Sequence, residues 1–147
     1  MNNNFLLIGK NSFIGKNIYN YARNKLNIKR LNYSEVIKKK DKFFSKFDFL
    51  INCSLNKDYV NKSYNISKDH DYTIAKKIKF CNIKYIFLST RKVYKPQYNL
   101  KETSLIKPSD RYSKNKLITE NKLQTILGKK LTILRIGNVI GFKKKSK

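Results

Sequence analysis

Proline and glycine are scarce in this chain, two and five of 147 residues, and no stretch rich in either divides it. One domain is therefore expected, of a size that buries a substantial core. The two cysteines, Cys53 and Cys81, lie 28 positions apart in apolar surroundings, which is neither a metal-ligand spacing nor a disulfide framework. Both are expected as small buried residues of a reducing, cytoplasmic protein. The single histidine, His70, sits in a polar Lys-Asp-His-Asp stretch and is expected at the surface, so no metal site is expected. The apolar run Phe5-Leu6-Leu7-Ile8 is too short for a signal peptide or a membrane span.

Carboxylates are the rarest class for the chain's size, nine against 34 Lys and Arg, leaving a net charge of +25. Such a charge usually points to nucleic acid or an anionic surface. Here 29 Lys accompany only five Arg, and they are spread from Lys10 to Lys147 rather than gathered in a stripe. Lys, Asn and Ile together fill 64 of the 147 positions, a bias that reads as compositional drift rather than a designed groove. Bidentate recognition of phosphates and bases favours Arg. No specific nucleic-acid partner and no membrane are expected, only non-specific adhesion to polyanions at low salt; a basic nucleic-acid-binding protein is the less favoured alternative. The run Lys143-Lys144-Lys145-Ser146-Lys147 is expected to be solvated. It places a basic tail at 142–147 after a domain spanning 1–141.

What is present centres on Tyr112 and Lys116, in Ser109-Asp-Arg-Tyr112-Ser-Lys-Asn-Lys116. On a helix that spacing stacks both side chains on one face. A phenol alone is a poor base at neutral pH, and a nearby ammonium favours the phenolate. The pair can thus move a proton on or off a hydroxyl or carbonyl. Its plain alternative is a solvated helix face, so its context decides.

That context begins at the N-terminus. Phe5 to Ile8 reads as a buried parallel strand running directly into Gly9-Lys10-Asn11-Ser12-Phe13-Ile14-Gly15. Beyond it, Ile14, Ile18, Tyr21, Ala22 and Leu26 fall on one helical stripe. Strand, tight Gly turn and helix aim backbone N–H groups and a helix N-terminus at a phosphate. The alternative is a βα turn that binds nothing.

At this point the chain resembles the extended short-chain dehydrogenases, the NAD-dependent epimerase/dehydratase family. The first turn is similar to the family's Gly-x-x-Gly-Phe-Ile-Gly. Asp48-Phe-Leu-Ile-Asn52-Cys53-Ser54 is similar to the strand ending that passes beside the cofactor. Tyr85-Ile-Phe-Leu-Ser89-Thr90-Arg-Lys-Val93-Tyr94 is similar to the strand that delivers the catalytic Ser or Thr, here Thr90. Tyr112-x-x-x-Lys116 follows 22 positions later. Leu131-Thr-Ile-Leu-Arg135-Ile-Gly-Asn138-Val-Ile-Gly141 is similar to the strand and loop at the edge of the substrate site. The resemblance covers essentially the whole chain.

It implies an NAD or NADP cofactor over the Gly9–Gly15 turn, in contact with Gly9, Ser12, Phe13, Ile14, Gly15, Asn52, Cys53, Ser54, Tyr112 and Lys116. It implies a nucleotide-activated sugar as substrate, touched by Thr90 and Asn138. Thr90 orients the substrate oxygen, Tyr112 exchanges a proton with it, and Lys116 lowers the Tyr112 pKa and meets the nicotinamide ribose. A reductase or epimerase is favoured over a dehydratase, because the acidic pair that dehydratases place after the catalytic Thr is here Arg91-Lys92.

The departures matter as much. Ser12 replaces the glycine that lets backbone approach the pyrophosphate. Near Ile28 to Leu31 the acid that would hold a ribose 2′-hydroxyl is missing; Lys29 or Arg30 there suits a 2′-phosphate or is ordinary surface charge. Family members also continue well past the Asn-Val-x-Gly loop into substrate-binding elements, whereas this chain stops at Lys147. A gene fragment, a catalytically silent relative, a homo-oligomer, and half of a complex whose partner supplies the rest are the alternatives.

The fold expected is α/β, a single-domain doubly wound parallel sheet of the Rossmann kind. Strands are expected near 4–8, 27–32, 48–53, 84–89 and 131–135, and helices near 13–26, 61–81 and 111–127, with another near 34–46. In the second helix Tyr64, Ile74, Ile78 and Cys81 are expected to face the sheet, and Gly128 is expected to stop the third. The stretch Ser34 to Phe47 is too short for a third strand and a full helix together, so one strand of the usual sheet is expected to be missing or vestigial.

Overall fold

A computed structural model describes residues 3–139. The sheet is built from β1 (Asn4–Ile8), β2 (Asn27–Leu31), β3 (Phe49–Asn52), β4 (Lys84–Thr90) and β5 (Leu131–Ile136). All four pairings are parallel and the order is β2-β1-β3-β4-β5. Parallel strands covered on both faces must be apolar throughout. Leu6, Leu7 and Ile8 of β1 accordingly have at most 1% exposure. The chain leaves β1 to one side for β2 and then crosses to the other for β3, which opens a crevice at the carboxyl ends of β1 and β3.

All five expected strands form within a residue of their expected limits. The helices differ more. Helix α1 (Phe13–Ala22) ends four residues early, and Tyr21, expected on the buried stripe, is 76% exposed. The segment after β2 yields only two single turns, α2 (Tyr33–Val36) and α3 (Asp41–Phe44). They bury Val36 and Phe44 completely, and no strand forms outside β2 among the described residues.

The long helix expected over 61–81 is broken into α4 (Lys57–Asn61), a single 3₁₀ turn at 66–68 and α5 (His70–Ile78). Asn56, Asn65 and Asp69 each accept a backbone N–H as N-cap and start a new segment. Tyr64 therefore lies outside the helix, whereas Ile74 and Ile78 face the sheet as expected. Helix α6 (Arg111–Leu127) forms at its expected limits and ends at Gly128. The core joins Leu6, Ile8, Leu50, Tyr85 and Phe87 of the sheet to Ile74 and Ile78 of α5 and to Leu123 and Leu127 of α6.

Among the described residues β5 is an edge strand, hydrogen-bonded only to β4, with Leu134 45% exposed. Among the described residues no helix is long and apolar enough to cross a membrane. Gly141 and the expected tail at 142–147 lie outside the described residues.

Candidate functional site

The turn after β1 is dictated by two glycines. Gly9 adopts φ +90°, and a Cβ there would stand 2.8 Å from both the Cys53 carbonyl carbon and the Ser54 nitrogen. The turn is thereby pressed against the chain leaving β3. At Gly15 a Cβ would meet the Gly9 carbonyl oxygen at 2.4 Å and Ser12 Oγ at 2.8 Å, so only glycine lets α1 pack this close.

Ser12 is the N-cap of α1, its Oγ accepting the Gly15 N–H at 2.9 Å. The serine that departs from the family pattern thus has a structural task, which the Ser-x-x-Gly spacing before an apolar stripe could have signalled. Phe13 and Ile14 complete the first turn, where helical amides have no intrahelical acceptor.

The crevice is a cleft of about 440 Å³. The expected residues Gly9, Ser12, Cys53 and Ser54 line it, joined by Asn11, Asn32, Tyr33, Ser34 and Leu55. Asn32 and Tyr33 were not legible as site residues because the end of β2 had not been fixed to the residue. Arg30 takes another place: its guanidinium stacks 3.5 Å above the centre of the Tyr19 ring, and it does not line the cleft. Burial pushes the Cys53 thiol up to about 12, which keeps it protonated.

Behind the cleft runs a buried polar network that sequence reasoning missed. Asn52, 4% exposed, accepts the Ser54 N–H and hydroxyl at 3.0 and 2.6 Å and donates to Asp71 Oδ1 at 2.9 Å. Asp71 also accepts the Tyr85 hydroxyl at 2.6 Å. Asp69 caps α5 and accepts the Thr119 and Tyr64 hydroxyls at 2.6 and 2.9 Å.

His70, expected at the surface, is half-buried instead: it stacks on Tyr33 with ring centroids 3.5 Å apart, and its Nδ1 lies 3.1 Å from Ser54 Oγ. The Ser54 hydroxyl proton is already given to Asn52, so Nδ1 donates and the neutral ring is the Nδ1–H tautomer. Burial lowers the His70 pKa.

At the same sheet edge, Thr90 ends β4, and the first turns of α6 carry Tyr112 and Lys116. Thr90 closes β4 and its Oγ1 accepts the Lys92 N–H at 3.3 Å. Lys116, 3% exposed, donates to the Leu88 carbonyl at 2.9 Å, lies 3.9 Å from Asp71 Oδ2 and sits 4.4 Å from the centre of the Phe87 ring. Its Nζ is 5.9 Å from the centre of the Tyr112 ring, and no hydrogen bond joins the two side chains.

The expected depression of the Tyr112 pKa does not occur in this arrangement. Burial raises it, and the Asp71 and Asp110 charges raise it further. Burial lowers the Lys116 pKa against the opposing pull of Asp71. One turn further along α6, Glu120 accepts the Ser89 hydroxyl and a bidentate pair from Arg135 at 2.6 and 3.1 Å, which locks β5 onto α6. Asn138 follows β5 and is exposed. A larger hollow of about 780 Å³ opens beside it, between β5 and the loop carrying Tyr94 and Tyr98.

No protein-family model matches the chain, and no curated protein sequence does. Solved structures do match. A dTDP-4-dehydrorhamnose reductase from Yersinia enterocolitica superposes with a TM-score of 0.73 at 20% identity, over 95% of this chain and 54% of the reductase. The same enzyme from Bacillus anthracis, in complex with NADP, gives 0.71 at 16% identity over 93% and 54%. A UDP-glucuronic acid 4-epimerase from Bacillus cereus, in complex with NAD, gives 0.72 at 16% identity over 94% and 57%. The chain thus spans little more than half the length of these neighbours, and what it shares with them is their Rossmann-like α/β fold.

Proposed function

We propose that this chain is the dinucleotide-binding, acid–base half of an NAD(P)-dependent enzyme of nucleotide sugars, a reductase or epimerase in type. The observation that carries the reading is the meeting of Gly9, Ser12 and Ser54 around one cleft at the β1/β3 crevice, with Thr90, Tyr112 and Lys116 on the same edge of the sheet. The donor set fits a dinucleotide diphosphate. The α1 N-terminus offers the Phe13 and Ile14 amides, and the Ser12 oxygen is used by Gly15 while its proton is free to be donated. Solved neighbours that hold NADP or NAD on this fold support the reading.

A bound nicotinamide supplies or takes up a hydride at the sugar carbon. Thr90 orients the substrate oxygen, Tyr112 gives or takes its proton, and Lys116 supports the ribose side of the site. The segments that select a sugar come from the rest of a full-length enzyme, a second copy or a partner chain.

One observation favours a second reading. Lys116 is engaged by Leu88 and Asp71, and the Tyr112 phenol is raised rather than lowered, as befits a domain that binds the nucleotide without turnover.

Titration with NADH and NADPH at moderate salt, followed by nicotinamide fluorescence with ATP as a polyanion control, tests both. Saturable binding that ATP does not mimic is expected. A folded chain that binds neither nucleotide refutes both readings. Binding without turnover across a panel of nucleotide sugars selects the second.

A further inference from the structure

Among the described residues the most buried ion pair joins Asp71 to Lys116, with side chains 3% and 4% exposed, at a separation of 3.9 Å. Removing two charges from water is costly unless other groups satisfy them. Asp71 is satisfied on one oxygen by Asn52 at 2.9 Å and Tyr85 at 2.6 Å, so the carboxylate cannot turn. Lys116 has the Leu88 carbonyl on one side and the Phe87 ring on the other. The pair lies beside the core formed by Phe87, Ile74 and Leu123.

We infer that Asp71 is a positioning residue for Lys116: fixed by Asn52 and Tyr85, its carboxylate draws the ammonium inward beneath β4 and sets how firmly the Tyr112–Lys116 pair holds its protons. The inference rests on the acid–base reading above, but its test requires neither cofactor nor turnover. Asn52 also carries Ser54, which lines the cleft, so the anchor of this carboxylate is shared with the dinucleotide site.

The groups facing the pair come from five elements. Asp69 stands at the head of α5, Glu120 on α6, Tyr85 on β4, and Cys53 follows β3; Tyr59 approaches from α4. Of these, the Asp69 and Glu120 carboxyl groups are held by their own partners, Thr119 and Tyr64 for one and Arg135 for the other. Asp71 is the negative group with a direct ion pair to Lys116. Removing a negative charge makes every neighbouring proton easier to lose. Asp71→Asn, nearly isosteric and able to accept both hydrogen bonds on its amide oxygen, should therefore lower the titration midpoints of both Lys116 and Tyr112.

The measurement is NMR titration of the full chain without ligand, reading lysine 15Nζ and tyrosine 13Cζ shifts assigned with Lys116→Met and Tyr112→Phe. In folded Asp71→Asn the Lys116 midpoint is expected to fall by a pH unit or more, with a smaller fall for Tyr112. Unmoved midpoints overturn the inference. If Asp71→Asn does not fold, the Asp71 13Cγ signal is followed in Lys116→Met, where loss of the counter-charge should raise its midpoint by a unit or more; no rise overturns the inference equally. Failure of both NADH and NADPH to bind sinks the proposed function and leaves these midpoints, and the conclusion drawn from them, untouched.

Discussion

Gly15→Ala sets two effects of opposite sign against each other. Alanine in place of glycine favours a helix by about 1 kcal/mol. Against this, the new Cβ would lie 2.4 Å from the Gly9 oxygen and 2.8 Å from Ser12 Oγ. An ordinary carbon–oxygen approach is about 3.3 Å, so the backbone of the turn must yield by roughly 0.9 Å against the 2.4 Å found. That oxygen accepts the Ser12 N–H at 2.9 Å, and the serine hydroxyl caps Gly15 itself, so both bonds are strained together. Overpacking costs about 2 kcal/mol and a weakened cap about 1. Net of the helical gain, the variant is expected to lose about 2 kcal/mol, or roughly 4–8 °C in Tm for a chain of this size.

Urea and thermal unfolding followed by circular dichroism measure the loss. Gly137→Ala, whose Cβ would find only the Arg91 side chain at 3.8 Å, serves as the control and is expected within about 0.5 kcal/mol of wild type. A Gly15→Ala protein as stable as the parent would refute the close packing of α1 on the turn.

Three further outcomes are expected. Arg135→Ala strands the buried Glu120 carboxylate, at a cost of about 3 kcal/mol in urea unfolding, and adding Glu120→Gln recovers much of it; a loss below about 1 kcal/mol would show that water already satisfies Glu120. His70 is held neutral by burial, with its pKa below the ordinary 6.5. The unfolded chain therefore takes up the proton first, and stability declines as pH falls from about 6.5 toward the lowered value. His70→Gln should flatten that part of the pH–stability curve, and an unchanged curve counts against the buried ring. Tyr112→Phe should abolish any turnover while leaving NADPH affinity within about twofold; an active variant dismisses the acid–base scheme.

The sheet was legible because its strands are short apolar runs whose burial on both faces leaves one pattern available. The helix over 61–81 was not, since Asn56, Asn65 and Asp69 compete for backbone N–H groups locally, and hydrophobic spacing carries no record of that competition. Within the site, Gly9, Ser12 and Ser54 were readable from the turn and the strand ending. Asp71, Glu120 and the true setting of His70 were not, because their partners arrive from other elements 14 to 31 positions away. Of the nine carboxylates, the three held at 3% exposure or less are Asp69, Asp71 and Glu120, and only the fold sets them apart from the other six.

The two edges of the sheet differ in what they offer a neighbour. β2 presents the exposed Lys29 to its surroundings, whereas the one charge on β5, Arg135, is taken by Glu120 beside an exposed Leu134. An edge without free charges is a template for intermolecular strand pairing. What keeps two molecules apart is the net charge of +25, whose reach shrinks from about 10 Å at 0.1 M salt to about 3 Å at 1 M. Colloidal stability is therefore expected to rest on repulsion: concentrated stocks should stay clear in dilute buffer, and light scattering should rise as salt is added.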